Sequence, residues 1–310
     1  MRFLNISLIV AALLSSTTMI AQTPSPTGRW DITFDMNGTA RPGWLEVTKS
    51  GLSTLVGRVM VIGGSARPIS EIHTDGDRYS FTIPPQGDRR DDQVFMFTLD
   101  NNKLRGTMRH ADGKTYAWTG VRAPLLKKES EPTWGEPITL FNGKDLTGWI
   151  TQNPSDENQW FADDGVLYNP KSGANLRTEA TFDDFKLHIE FRYPKGSNSG
   201  VYLRGRYEVQ IEDNKSREPD SHLFGGIYGI VHPNAMVAKD PGEWQSFDIT
   251  LAGRMITVVA NGVTVICDQQ IPGITGGALD SHEGEPGPIL LQGDHGPIEF
   301  RNIVLTPARG

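Results

Sequence analysis

Asn198-Ser199-Gly200-Val201-Tyr202-Leu203-Arg204-Gly205-Arg206-Tyr207-Glu208-Val209-Gln210-Ile211 is the stretch on which the reading of this chain turns. In alternation, Val201, Leu203, Val209 and Ile211 fall on one face. Tyr202, Arg204, Glu208 and Gln210 fall on the other, if the Gly205 region keeps the phase. The first is a core face. The second places a phenol, a guanidinium, a carboxylate and an amide side by side on a rigid sheet, a grouping that packing does not require. Phe185 to Tyr193 repeats the pattern, with Leu187, Ile189 and Phe191 alternating with His188, Glu190 and Arg192. If the two strands share a sheet, Glu190, Arg192, Arg204, Glu208 and Gln210 converge; strand register, which decides this, is not written in a single sequence.

Outward from this stretch the chain is strand after strand. Further strands are expected at Gly165 to Tyr168, Gln245 to Ala252, Met255 to Ala260, Val263 to Asp268, Gly287 to Gln292 and Ile298 to Thr306, and Asn261-Gly262 is a strong hairpin signal. Helix signals are almost missing, so residues 138–310 are expected to form a jelly roll of two stacked sheets, with ligands lying on a concave polar face. Residues 22–124 read as a separate small all-β domain, a barrel or sandwich. Its strands are expected at Trp30 to Asp35, Trp44 to Thr48, Ser53 to Ile62, Arg78 to Ile83, Gln93 to Leu99, Lys103 to His110 and Lys114 to Arg122. Arg41-Pro42 and Arg67-Pro68 read as turn or edge features, and His73 and His110 as isolated surface histidines. Residues 125–137, charged and proline-containing, read as a linker, with Trp134 docked on a flanking domain.

A formal net charge of −7 offers no basic excess for nucleic acid or an anionic membrane surface. Residues 1–21 have the basic start, short apolar run and polar stretch before Ala21 of a signal peptide, with cleavage expected after Ala21. A soluble periplasmic or secreted protein follows, without membrane insertion. Cys267 is the single cysteine, so neither an intramolecular disulfide nor a disulfide-linked partner is expected.

Several motifs together resemble one family. They are Leu140 to Trp149 (LFNGKDLTGW), Asp184 to Arg192, Asn198 to Ile211, Gly226-Ile227-Tyr228-Gly229, Pro241 to Trp244, Asn261-Gly262, and the Leu-Gln-Gly-Asp-His-Gly run ending at Gly296 with Phe300 to Ile303. In this order, over about residues 138–306, they are similar to the 3-keto-disaccharide hydrolases. The resemblance implies a concanavalin-like jelly roll and an enzyme that cleaves or hydrates 3-keto-glycosides; the N-terminal domain lies outside it.

A 3-keto group acidifies the proton at C2 and places the C1 leaving group β to the resulting carbanion, so elimination and then hydration can replace direct displacement. Such a site needs a base near C2, a donor for the enolate oxygen and an acid for the leaving oxygen. Glu208 is the first candidate for acid/base work and Glu190 the second, with His295 a possible base or metal ligand. Arg204, Arg206, Gln210, Asn198 and Gln292 are candidate hydroxyl or enolate contacts, and Tyr228 and Trp244 candidate sugar platforms. His222, His232 and His282 lie in loops that could reach over a cleft. A divalent metal is possible, but no pair of histidines has a recognised metal spacing and no cofactor is assigned. Two alternatives stay open. One is a non-catalytic carbohydrate-binding protein. The other is an ordinary retaining glycosidase, suggested by Glu208-Val209-Gln210-Ile211-Glu212, although two acids four apart on a regular strand stand ~13 Å from each other.

Overall fold

The structure, a computed structural model, describes residues 25–85, 90–126 and 131–309. The expected signal peptide and part of the expected linker lie outside the described residues. The strands of the first domain are β1 (Gly28–Met36), β2 (Thr39–Ser50), β3 (Thr54–Val61), β4 (Arg67–Asp75), β5 (Arg78–Ile83), β6 (Gln93–Asp100), β7 (Lys103–Arg109) and β8 (Thr115–Arg122). Each pairs antiparallel with the next and β8 closes on β1, giving an eight-stranded up-and-down barrel. Alternate residues such as Trp30, Ile32, Phe34, Phe81, Phe95 and Trp118 fill its interior, as the period of two requires.

The barrel alternative is therefore the one adopted, and it has a strand the sequence reading missed. Arg67-Pro68 opens β4, with Pro68 opposite Arg58, and Pro42 lies inside β2 opposite Thr33. Neither proline breaks its strand. Pro68 is the second residue of β4, and Pro42 lies just beyond the Gly43↔Val61 pair that ends the β3 ladder. Few ladder donors are lost at such positions.

The second domain contains β9 (Ile138–Thr139), β10 (Trp149–Thr151), β11 (Phe161–Asp163), β12 (Val166–Asn169), β13 (Leu176–Thr178), β14 (Phe185–Arg192), β15 (Asn198–Leu203), β16 (Tyr207–Glu212), β17 (Gln245–Ala252), β18 (Met255–Ala260), β19 (Val263–Gln270), β20 (Leu290–Leu291) and β21 (Ile298–Pro307). They form a five-stranded sheet, β10-β13-β20-β15-β16, and a larger one, β11-β12-β21-β14-β17-β18-β19 with β9 beside β21. Val201, Leu203, Val209 and Ile211 of the first sheet meet Leu187, Ile189, Phe191, Phe247 and Leu305 of the second in one apolar core. The two predicted core faces are correct and they face each other. It follows that the polar faces of β14 and β16 point in opposite directions.

The domains are joined by more than chain. Trp44 and Met60 of the barrel belong to the core of the sandwich, and Trp44 Nε1 donates to the Ile274 carbonyl at 2.8 Å. Ser281 Oγ donates to the Ile32 carbonyl at 2.7 Å. Glu283, buried, accepts from Arg29 at 2.9 Å, from Tyr207 at 2.9 Å and from Arg254. Burial and the neighbouring Glu283 push the Asp31 carboxyl well above the usual carboxylate range. Trp134 bridges to Ala308 and lies under Lys186, 4.8 Å from its ammonium, so it docks on the second domain as expected. Among the described residues no helix is long and apolar enough to cross a membrane.

Candidate active site

The opening stretch is a hairpin, and this reorganises the site. Leu203 ends β15, Arg204 and Gly205 take left-handed turn conformations, and Tyr207 starts β16. The register is continuous: Tyr202 faces Glu208, Gly200 faces Gln210 and Asn198 faces Glu212. These six positions share the outer face of the five-stranded sheet, because their neighbours Val201, Leu203, Val209 and Ile211 occupy the inner one.

Glu208 is buried, with Oε2 accepting from the Tyr202 hydroxyl at 2.9 Å. Its carboxyl lies over Gly200, where a Cβ would come within 2.9 Å of Glu208 Cδ and closer still to Oε1. Burial pushes the carboxyl up to about 8, against the opposing effects of the Tyr202 hydrogen bond and the nearby His295. A group so placed exchanges a proton near neutral pH, which is what an acid/base catalyst needs.

Beside it is the turn that follows β20. Asn175 Oδ1 accepts from the backbone of Gly293 at 2.7 Å and of Asp294 at 3.2 Å. The turn presents His295, whose Nδ1 is 2.6 Å from Asp294 Oδ1. That contact, with the fields of Asp294 and Glu208, holds the imidazole above its ordinary value against partial burial. Gln292 lies on the same face, and its Oε1, like that of Gln210, is buried without a hydrogen-bond partner among the described residues. Two unpaired amide oxygens on one polar face are a ready place for hydroxyl donors. Tyr228 is also at this face: its N–H donates to the Glu208 carbonyl at 3.1 Å, and its ring meets His222 edge-on at 5.1 Å. The structure thus gathers Glu208, His295, Gln210, Gln292 and Tyr228, with Asn198 two positions further along β15.

The other expected residues are elsewhere. Arg204 is fully buried on the opposite side of the hairpin, over the Tyr207 ring at 5.3 Å and bonded to Asp183 at 3.2 Å and to the Gly253 carbonyl. Arg206 donates to Asp280 and to the Glu285 carbonyl, each at 2.7 Å. Both lie in the turn between β15 and β16, outside the extended chain on which the assignment of Arg204 to the polar face rested, and both guanidiniums anchor loops. Glu190 is on the far sheet, held by Arg301 at 2.6 Å and Asn302 at 2.9 Å. Partial burial would raise its carboxyl, but those two hydrogen bonds outweigh it and hold it below the usual range. Trp244 is on that side as well, with Arg301 3.9 Å and Arg192 4.7 Å from its ring. The expected convergence of Glu190 with Glu208 does not occur, since β14 and β16 are in different sheets.

Four contributors were missed or given no role. Tyr202 was seen on the polar face without a function, and only the hairpin register shows it opposite Glu208. Asn175 and Asp294 act through loop contacts that no spacing rule reveals. Arg177 lies on a three-residue strand, too short to display an alternation. Its row crosses the whole sheet, Ile150, Arg177, Leu290, Tyr202 and Glu208 standing opposite one another in turn, and its guanidinium has no hydrogen bond or ion pair among the described residues. Among those residues no three His, Cys, Asp or Glu side chains gather closely enough to hold a metal ion. A hollow of about 1040 Å³ opens at the mouth of the barrel, lined by Arg41, Arg67, Gln93, His110 and Ser65 among others; it contains no buried acid comparable to Glu208.

A buried carboxyl that exchanges a proton near neutral pH, on the polar outer face of a two-sheet sandwich, is equipped for acid/base chemistry on a ligand lying across the strands. Residues 136–306, more than half of the chain, match the 3-keto-alpha-glucoside-1,2-lyase-like domain, and the chain belongs to that family. The 3-keto-disaccharide hydrolase of Bacteroides thetaiotaomicron is 28% identical in an alignment that covers 33% of this chain and 41% of that relative. The match thus spans less than half the length of the relative. Two crystal structures of glycosyl hydrolase candidates from Parabacteroides distasonis align at 29% and 28% identity. Their TM-scores are 0.48 and 0.44, over 59% and 55% of this chain and 96% and 98% of theirs. The barrel lies outside the family match.

Proposed function

We propose that the protein cleaves 3-keto-glycosides by removing the C2 proton, expelling the C1 oxygen and adding water to the resulting enone. The observation that carries this reading is Glu208, a buried carboxyl pushed up to about 8 beside Tyr202 and His295. In its ionised form Glu208 takes the C2 proton, and the enolate that forms expels the leaving group. His295, held toward its charged form by Asp294, gives a proton to the departing oxygen. Gln210 and Gln292 receive sugar hydroxyls through their free amide oxygens, and Arg177 binds the part of the substrate further along the sheet.

The β16 register is unshifted, so Glu208 and Glu212 keep the ~13 Å separation of a regular strand. Retaining glycosidases need two carboxyls about 5–5.5 Å apart, which disfavours that alternative. The test is to incubate the purified protein with a 3-keto-disaccharide and with its unoxidised parent. Cleavage of the keto sugar alone is expected. Binding of both without turnover would instead indicate a lectin, and cleavage of the parent alone an ordinary glycosidase.

A further inference from the structure

We propose that the barrel supplies part of the catalytic cleft, and that Ser65 on its β3–β4 loop is a positioning residue for His222 of the sandwich. The inference rests on reading the outer face around Glu208 as the catalytic site, and it deepens that reading by giving the N-terminal domain a role in it.

The loop between β3 and β4 reaches the second domain at two glycines that flank the Glu208 region. A Cβ on Gly229 would come within 2.6 Å of Ser65 Oγ, and one on Gly276 within 2.6 Å of Gly64 N. Only residues without side chains admit so close an approach. Both glycines belong to segments that touch the site: the Gly276 carbonyl, 3.0 Å from the Tyr202 hydroxyl, shares that group's one proton with Glu208, and Tyr228 precedes Gly229.

Ser65 Oγ is hydrogen-bonded to His222 Nε2 across the domain boundary. The other ring nitrogen, Nδ1, is 2.8 Å from Asp220 Oδ1. Both nitrogens are therefore committed, and the ring orientation is fixed by one group from each domain. With Asp220 accepting the Nδ1 proton, Nε2 receives the Ser65 hydroxyl proton. The ring stands against Tyr228, and the His222 carbonyl accepts from Gln210 Nε2 at 3.2 Å. A second partner that fixes an imidazole in this way acts as outer-shell partners do at other catalytic sites. The titratable groups facing His222 are Asp220, Glu212, Tyr228 and, through the far oxygen of Asp220, His232.

The experiment compares wild type with Ser65→Ala and Ser65→Thr in the full-length protein. It uses steady-state kinetics on a 3-keto-disaccharide together with ¹⁵N NMR of the imidazoles. Ser65→Ala should raise KM several-fold with kcat little changed, because His222 holds the sugar-binding Gln210, and Ser65→Thr should restore part of it. In the spectra the His222 Nε2 resonance should move in Ser65→Ala while the other histidines, of seven in all, stay in place. An unchanged KM in Ser65→Ala, in an active wild type, would overturn the proposal. If wild type turns over no 3-keto sugar, the proposed reaction is wrong and the spectra decide the positioning contact alone: a moved His222 resonance supports it and an unmoved one overturns it.

Discussion

The Tyr202 hydroxyl donates to Glu208 Oε2 at 2.9 Å from the directly opposite position of the hairpin. Removing that donor in Tyr202→Phe takes away the interaction that favours the ionised carboxyl, so the Glu208 titration should move above its wild-type midpoint of about 8. Carboxyl ¹³C NMR with labelled glutamate reads the midpoint directly; a shift downward would contradict the assignment.

Glu208→Gln should reduce kcat by about 10²–10⁴-fold, the usual contribution of a positioned acid or base, while leaving sugar binding intact. Its effect on stability has the opposite sign. A carboxyl raised by burial contributes its full stability below the unfolded carboxylate pKa, and that contribution is lost as pH rises through about 8. The variant should therefore melt above wild type at pH 8, with the gap closing toward pH 5, in paired calorimetric scans.

Gly200→Ala tests the space above β15. The new methyl meets the Glu208 carboxyl, and because that side chain is buried it has little room to retreat. Overpacking of this kind costs about 1–3 kcal/mol. Denaturant titration should show that loss, and turnover should fall by much more than KM rises.

Arg177→Ala should raise KM with kcat close to wild type, since the residue is three strands from Glu208 on the same face. A fall in kcat at unchanged KM would place it at the reacting atoms instead.

Glu190→Gln should leave kcat and KM unaltered. It faces away from Glu208, and loss of its half-exposed pair with Arg301 should cost no more than about 1 kcal/mol in a chemical denaturation midpoint.

Alternation made the two core faces legible from sequence, and the positions facing inward on β14, β15 and β16 are those the pattern named. It also picked Glu208 and Gln210 from the polar positions, while Gln292 came from its place at a strand end. The failure at Arg204 has a single cause. A two-fold pattern shows which residues are inside only while the chain stays extended, and Arg204, in a left-handed turn, falls out of it although the phase resumes at Tyr207. Glu190 failed for another reason: two strands with the same pattern carry no mark of which sheet each joins. The contacts of Ser65 with His222 and of Asn175 with the His295 turn link residues 157 and about 118 positions apart, and such closures have no local signature.

Trp44 crosses from the barrel into the core of its neighbour, its indole flat against Gly273 and its N–H on the Ile274 carbonyl. The two domains therefore share a single cooperative unit at that point. Cutting the chain at the edge of the family match would leave an indole-sized hole in the sandwich and deprive Glu283 of Arg29. A shortened chain should lose melting cooperativity along with the Ser65 contact to His222, so inactivity of an isolated second domain would report a loosened fold as well as an incomplete cleft.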